Sequence, residues 1–195
     1  MILPFTKCHA NSNDFILINS NDFPVEMRTK NIICRLCCRH TGIGADGLFI
    51  ISHSDKYDFI LVYYNSDGSQ ETLCANGSRC AVRFMYQNGH IQKKSVFLAG
   101  DGSHRAEICE NGGVLMQMKT PVYRSEFLSP EGCDGYFIDS GAHHFVSESK
   151  NLDYDFVYQM GRKIRYSKLF LPHGINVNFY KLVDKHTVII KTYEK

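Results

Sequence analysis

The amino-acid sequence predicts a mixed α/β protein built as two strand-rich units, and three observations carry this. Short runs rich in β-branched and aromatic residues recur through the first 120 positions, and two stretches of helical spacing interrupt them. Around Lys119, Thr120 and Pro121 the periodicity then breaks before strand-like runs resume. A chain of 195 residues suits one large or two small units. The break divides it into residues 1–120 and 121–195.

The strand candidates of the first part are FILIN (15–19), GLFIIS (47–52), DFILVYYN (58–65), SVFLAG (95–100), HRAEICE (104–110) and VLMQMK (114–119). A helix is expected around 29–40, where Ile33, Leu36 and Cys37 fall at helical spacing. A second runs from about Asn76 or Gly77 to Asn88, with Ala81, Val82, Phe84 and Met85 as its apolar residues and Gly89 as its C-terminal stop. Pro121, Pro130, Gly132 and Gly135 mark connecting chain. Beyond it come YFID (136–139), a charged helical stretch containing MGRKIRYSK (160–168), NVNFYKLV (176–183) and HTVIIKTYE (186–194). The halves echo each other, NDFILIN then DFILVYYN against NVNFYKLV then HTVIIKTYE, although the match is too short to establish a repeat.

Leu, Ile, Val and Phe supply 53 of the 195 residues, above the roughly 20% below which a chain stays disordered. A net charge of +2 lacks the strongly basic balance that tracks a phosphate backbone, so nucleic acid is not expected as a partner. No apolar run approaches the 18 or so residues of a membrane span, and MILPFTKCHANSND has no secretory-signal pattern. The expected location is therefore cytoplasmic, where the eight cysteines stay reduced. Cys34, Cys37 and Cys38 lack the second paired knuckle of a zinc site and are expected to fill the core face of the first helix, so no metal is expected. Arg162, Lys163, Arg165 and Lys168 are expected to form a solvated face.

The chemistry concentrates where DFILVYYN runs through SDGSQETL into CANGSRC (74–80) and a helix. Asn65, Asp67, Gly68 and Ser69 suit a tight loop, and Asn76 and Gly77 free the backbone to approach a ligand with bare N–H groups. Cys74 then faces a helix N-terminus, where unpaired amides and the dipole favour a thiolate and can also bind a carboxylate. The residues weigh equally for a plainer reading in which Cys74 is buried and Asn76 caps the helix. Cys80, six positions on, points to another face and is expected in the core.

HANSNDFILIN (9–19), RHTGIGADGLFII (39–51), YNSDGSQETLCANGSRCAVRF (64–84), DSGAHHFV (139–146) and GINVNFYKL (174–182) resemble, in that order and spacing, the diaminopimelate epimerase family. The resemblance covers the whole chain. It implies two pseudo-symmetric lobes, each a mixed sheet around a central helix, and a homodimer as the usual assembly. It also implies a cofactor-free proton transfer at the α-carbon of LL-diaminopimelate, giving the meso form used for lysine and peptidoglycan. One thiolate removes the proton from one face and a second thiol delivers one from the other, while the α-carboxylate rests on helix N-termini.

Carried over position by position, the resemblance makes Cys74 the first catalytic cysteine. Substrate binding falls to Asn13, Asn65, Ala75, Asn76, Gly77 and Asn176, with Ala75 standing where many members have Gly. That substitution tests whether the position needs a positive φ. Gly47 stands where some members have Gln. In SGAHHFV, Ala142 replaces a substrate-binding Asn and His143 a Pro, while His144 matches the family's His. Near the end TYEK resembles the start of a YERG motif, so Glu194 matches an acid and Lys195 stands in place of an Arg, losing its bidentate fork. The family continues from there to an ACGTG-like turn bearing the second cysteine, whereas this sequence stops before it. The expectation is an incomplete second lobe with exposed apolar sheet faces, no second base from Cys109 or Cys133, and failure of two-base inversion. The alternatives are a non-catalytic relative that still binds an amino acid, and another cofactor-independent isomerase.

Overall fold

The computed structural model describes residues 2–194, of Tyr123 and Arg124 the backbone alone. The chain divides into two compact units, Met1–Met118 and Lys119–Lys195.

In the first unit the strands are β1 (Thr6–Ala10), β2 (Asn13–Asn19), β3 (Gly47–Ser52), β4 (Phe59–Asn65), β5 (Gln70–Glu71), β6 (Lys94–Ala99), β7 (Gly102–Ile108) and β8 (Val114–Met116). The helices are α1 (Lys30–Cys37) and α2 (Ala75–Gln87). The sheet order is β1-β2-β3-β4-β6-β7-β8, with β5 paired to β4. The β2/β3 and β4/β6 pairs are parallel and the rest antiparallel. Helix α2 touches both ends of this order, β1 and β8, as well as β2 and β3 between them. The sheet therefore curls around α2, as a mixed sheet with a central helix.

Burial on both faces explains the uninterrupted apolar runs. Phe15 and Leu17 of β2, with Phe49 and Ile51 of β3, face Ala81 and Val82 of α2. Their neighbours Ile16, Ile18, Leu48 and Ile50 face the other way, onto Ile33 and Cys37 of α1. Helix α1 begins where the Thr29 side chain accepts from the Ile32 amide. Helix α2 ends at Asn88, and Gly89 follows at φ +71°.

The second unit holds β9 (Val122–Leu128), β10 (Gly135–Asp139), β11 (His143–Glu148), α3 (Tyr154–Arg165), β12 (Asn176–Asp184) and β13 (Thr187–Tyr193). The sheet order is β13-β12-β11-β10-β9, with only β11/β12 parallel. Helix α3 packs on β12 and β13 over a core of Phe145, Val157, Ile164, Ile175, Val177 and Phe179. At the far end of the β12/β13 hairpin Leu182, Val183, Val188, Ile189 and Ile190 are exposed.

Several expectations change. The segment read as connecting chain contains β9, which pairs antiparallel with β10 across a bulge between Tyr136 and Ile138. The charged residues in its sequence, Arg124 and Glu126, hide the alternation, and the partner strand supplies what local pattern does not. Strand β1 carries no strand pattern of its own, because TKCHA is polar and short. It is fixed by the hairpin to β2, whose turn residues Asn11 and Ser12 adopt φ 53° and 64°. Of the three cysteines at α1, Cys37 is buried and Cys34 half-buried, but Cys38 is exposed at the helix end, accepting from the Thr41 hydroxyl at 3.1 Å. It follows the last helical residue, so the helical spacing no longer aims it at the core. Arg165 is not on a solvated face with Arg162, Lys163 and Lys168. It is only 8% exposed, donating from Nη1 to the Ile175 carbonyl at 2.9 Å.

Candidate active site

The start of α2 is held against the β1/β2 hairpin. Cys74 is its N-cap residue, half-buried and in extended conformation, and its carbonyl accepts the first helical bond from the Ser78 amide at 2.9 Å. The amides of Ala75, Asn76 and Gly77 lie before that bond and have no intrahelical acceptor. Their partial positive charge, with the helix dipole, favours negative charge at the Cys74 sulfur or on a bound carboxylate. The Asn76 side chain does not cap the helix: no cap bond forms at Cys74, and Asn76 lies within the first turn. Ala75 has no positive φ, so alanine is unstrained there.

Asn13 joins these groups. Its Oδ1 lies 3.8 Å from Cys74 Sγ and 3.4 Å from Asn76 Nδ2. Asp46 decides which way the amide points, because a carboxylate only accepts and Asn13 Nδ2 donates to Asp46 Oδ2 at 2.8 Å. Asn76 Oδ1 in turn accepts from Asn11 Nδ2 at 3.3 Å and from the Arg79 guanidinium. Three sequence-assigned residues, Cys74, Asn13 and Asn76, thus share one hydrogen-bonded cluster.

Asn65 stands at the end of β4. Its Oδ1 accepts from the Tyr63 hydroxyl, and its Nδ2 donates to Glu71 Oε1 at 3.1 Å. Burial, and then the negative potentials of Cys74 and Glu71, hold Tyr63 far above the ordinary phenol value, so it remains a neutral donor. Tyr63 also explains Gly47. A Cβ at Gly47 would come within 2.6 Å of the Tyr63 ring, which fills the space a longer side chain would need. Tyr63 was not singled out from sequence, yet YYN following an alternating strand was its signal.

Beneath Asn13 lies an ion network that the SND and GADG motifs carry without announcing it. Arg39 donates to both oxygens of Asp14, at 2.7 and 3.0 Å, and to Asp46 at 2.7 Å, while Lys7 pairs with Asp14 at 2.8 Å. The Arg39 guanidinium beside Asp14 holds its carboxyl well below the usual carboxylate range. A depressed folded-state value adds stability above the ordinary value of 3.8, and that contribution is lost as pH falls through it. Unfolding midpoints should therefore drop below about pH 4. Asp14→Asn should flatten that dependence in a urea series across pH. An unchanged slope would show that Asp14 is not its source.

In the second unit, His144, Asn176 and Glu194 gather at one end of the sheet. His144 is the register partner of Asn176, and Val177 pairs with Tyr193, next to Glu194. Asn176 Oδ1 accepts from Arg165 Nη1 at 3.1 Å. Burial, the largest influence, pushes His144 below its ordinary value, and Glu194 opposes it. Lys195 lies outside the described residues. Among the described residues no three metal-ligating side chains converge.

The comparisons agree with one another. The family model described as Diaminopimelate epimerase matches residues 5–124. A diaminopimelate epimerase of Aquifex aeolicus is 37% identical, covering 99% of this chain and 74% of its own length. One of Flavobacterium psychrophilum is 39% identical, covering 97% and 72%. Among solved structures, a hydroxyproline epimerase from Agrobacterium vitis with bound trans-4-hydroxy-L-proline superposes with a TM-score of 0.70 at 10% identity, covering 96% of this chain and 69% of that one. A Bacillus anthracis phenazine biosynthesis protein of the PhzF family gives 0.69 at 12% identity, covering 98% and 70%. At such identities these two bear on the fold alone, whereas the sequence relatives span nearly the whole chain, with its central helix, Cys74 turn and curled sheet. The chain belongs to the diaminopimelate epimerase family.

Proposed function

We propose that this isomerase-family chain acts on diaminopimelate, with Cys74 as the acid/base on one face of the α-carbon. The observation that carries the reading is Cys74 at the start of α2, its thiol beside Asn13 Oδ1 and its neighbouring amides without intrahelical acceptors. The Cys74 thiolate takes the α-proton, and the electron pair left on carbon spreads into the α-carboxylate. That carboxylate is stabilised by the first-turn amides of α2. Asn13, Asn65 and Asn76 bind the substrate's polar groups, with Ala75 and Gly77 contributing through their main chain, and the family resemblance assigns Asn176, Glu194 and Lys195 to substrate binding as well. The proton transfer needs no cofactor. The substrate is small and polar, and the place of action is the cytoplasm. Among the described residues no helix is long and apolar enough to cross a membrane.

Among the described cysteines only Cys74 caps the start of a helix. The 195-residue chain should therefore exchange the α-proton of diaminopimelate from one face, with configuration retained. Proton NMR in D2O with the reduced chain tests this. Exchange with inversion would assign a second acid to another residue. Binding without exchange would favour an amino-acid-binding relative that does not turn over, and neither binding nor exchange would refute the substrate.

A further inference from the structure

A chain of hydrogen bonds in the second unit fixes the proton of a histidine. The Phe145 carbonyl can only accept, and Asn178 Nδ2 lies 3.4 Å from it. At the other side of the amide, Thr192 Oγ1 donates to Asn178 Oδ1 at 2.8 Å. Turning the amide over would set two acceptor oxygens against each other at Phe145, so its orientation follows from the backbone. The same Nδ2 lies 2.9 Å from His144 Nδ1. A donor at that distance requires a lone pair on Nδ1, and a neutral imidazole then carries its only N–H on Nε2. Asn178 is 7% exposed, and its register partners Val146 and Thr192 hold it in mid-sheet.

We propose that Asn178 is the positioning residue of His144: it holds the ring in the neutral Nε2–H tautomer, so that His144 offers the site one hydrogen-bond donor and no lone pair at Nε2. The titratable groups around the ring are Asp139 and His143, on β10 and β11, and Glu194 beyond β13. Burial favours the same neutral state. The use of this donor in catalysis rests on the epimerase reading, but the tautomer does not, so the two fail separately.

The test is long-range proton–nitrogen NMR of the histidine-labelled chain, with His144 assigned by its loss in His144→Gln. Near neutral pH the wild-type ring should show an unprotonated Nδ1 and a protonated Nε2. Asn178→Asp replaces the donor by an acceptor, so the proton should move to Nδ1 and the titration midpoint should rise by about one unit, tenfold in proton affinity. Should that variant not fold, Asn178→Leu, with no donor, should give a mixture of tautomers. A wild-type ring with Nδ1 protonated, or variants that leave the tautomer unchanged, would overturn the proposal.

Discussion

Replacing Cys74 by Ser should reduce α-proton exchange on diaminopimelate by a factor of about 10² to 10⁴, the usual contribution of a positioned acid or base. The hydroxyl keeps the size and the N-cap geometry, and serine is a good N-cap residue, so the helix start should hold or gain stability. What changes is the ease of forming the anion: a thiolate forms near neutral pH far more readily than an alkoxide. Cys80→Ala is the matched control. Cys80 lies within α2, packs against the first unit's core and hydrogen-bonds Cys8. Its loss should lower stability modestly and leave the exchange rate per folded molecule unchanged. Deuterium incorporation, followed beside a denaturant titration of each variant, separates the two effects. Equal losses in both variants would remove Cys74 from its assigned role.

A large loss of stability from a single methyl group should come from Gly77→Ala. An added Cβ would lie 2.0 Å from Cε2 and 2.3 Å from Cζ of Phe49. Phe49 cannot yield: it is buried, stacked on Tyr63 with ring centroids 4.6 Å apart and edge-on to Phe15 at 5.3 Å. Overpacking of this kind typically costs about 1–3 kcal/mol. Relief by lifting α2 away from β3 would also displace Cys74 and Asn76 from Asn13, so exchange should fall with stability. Gly89→Ala sets the scale for backbone strain alone. Gly89 has φ +71° and nothing within 4 Å of an added Cβ, and forcing alanine into that conformation costs about 1 kcal/mol. Thermal unfolding should rank Gly77→Ala below Gly89→Ala. The reverse order would show that the α2–sheet contact is looser than these distances.

What could be read from the residues themselves was set by short-range rules. FILIN, GLFIIS and DFILVYYN are strands because β-branched and aromatic residues cluster there, and α2 ends before Gly89 because a left-handed residue stops a helix. Cys74 stood out because a cysteine entering a helix between a tight turn and Asn-Gly has few plain explanations, and the ordered motifs around it resemble one family. Tertiary structure decided what those rules do not reach. Strand β9 exists because β10 pairs with it, despite charges that break its pattern. At Gly77 the Phe49 ring fills the space that a side chain would need. Arg165 left the expected basic face to hold Ile175 and Asn176, and Cys38 turned outward one residue past its helix. Asp46, itself held by Arg39, orients Asn13 from 33 positions away in sequence. Such partners become neighbours only when the sheet curls around α2, because side-chain direction and long-range pairing follow from packing, which local sequence does not encode.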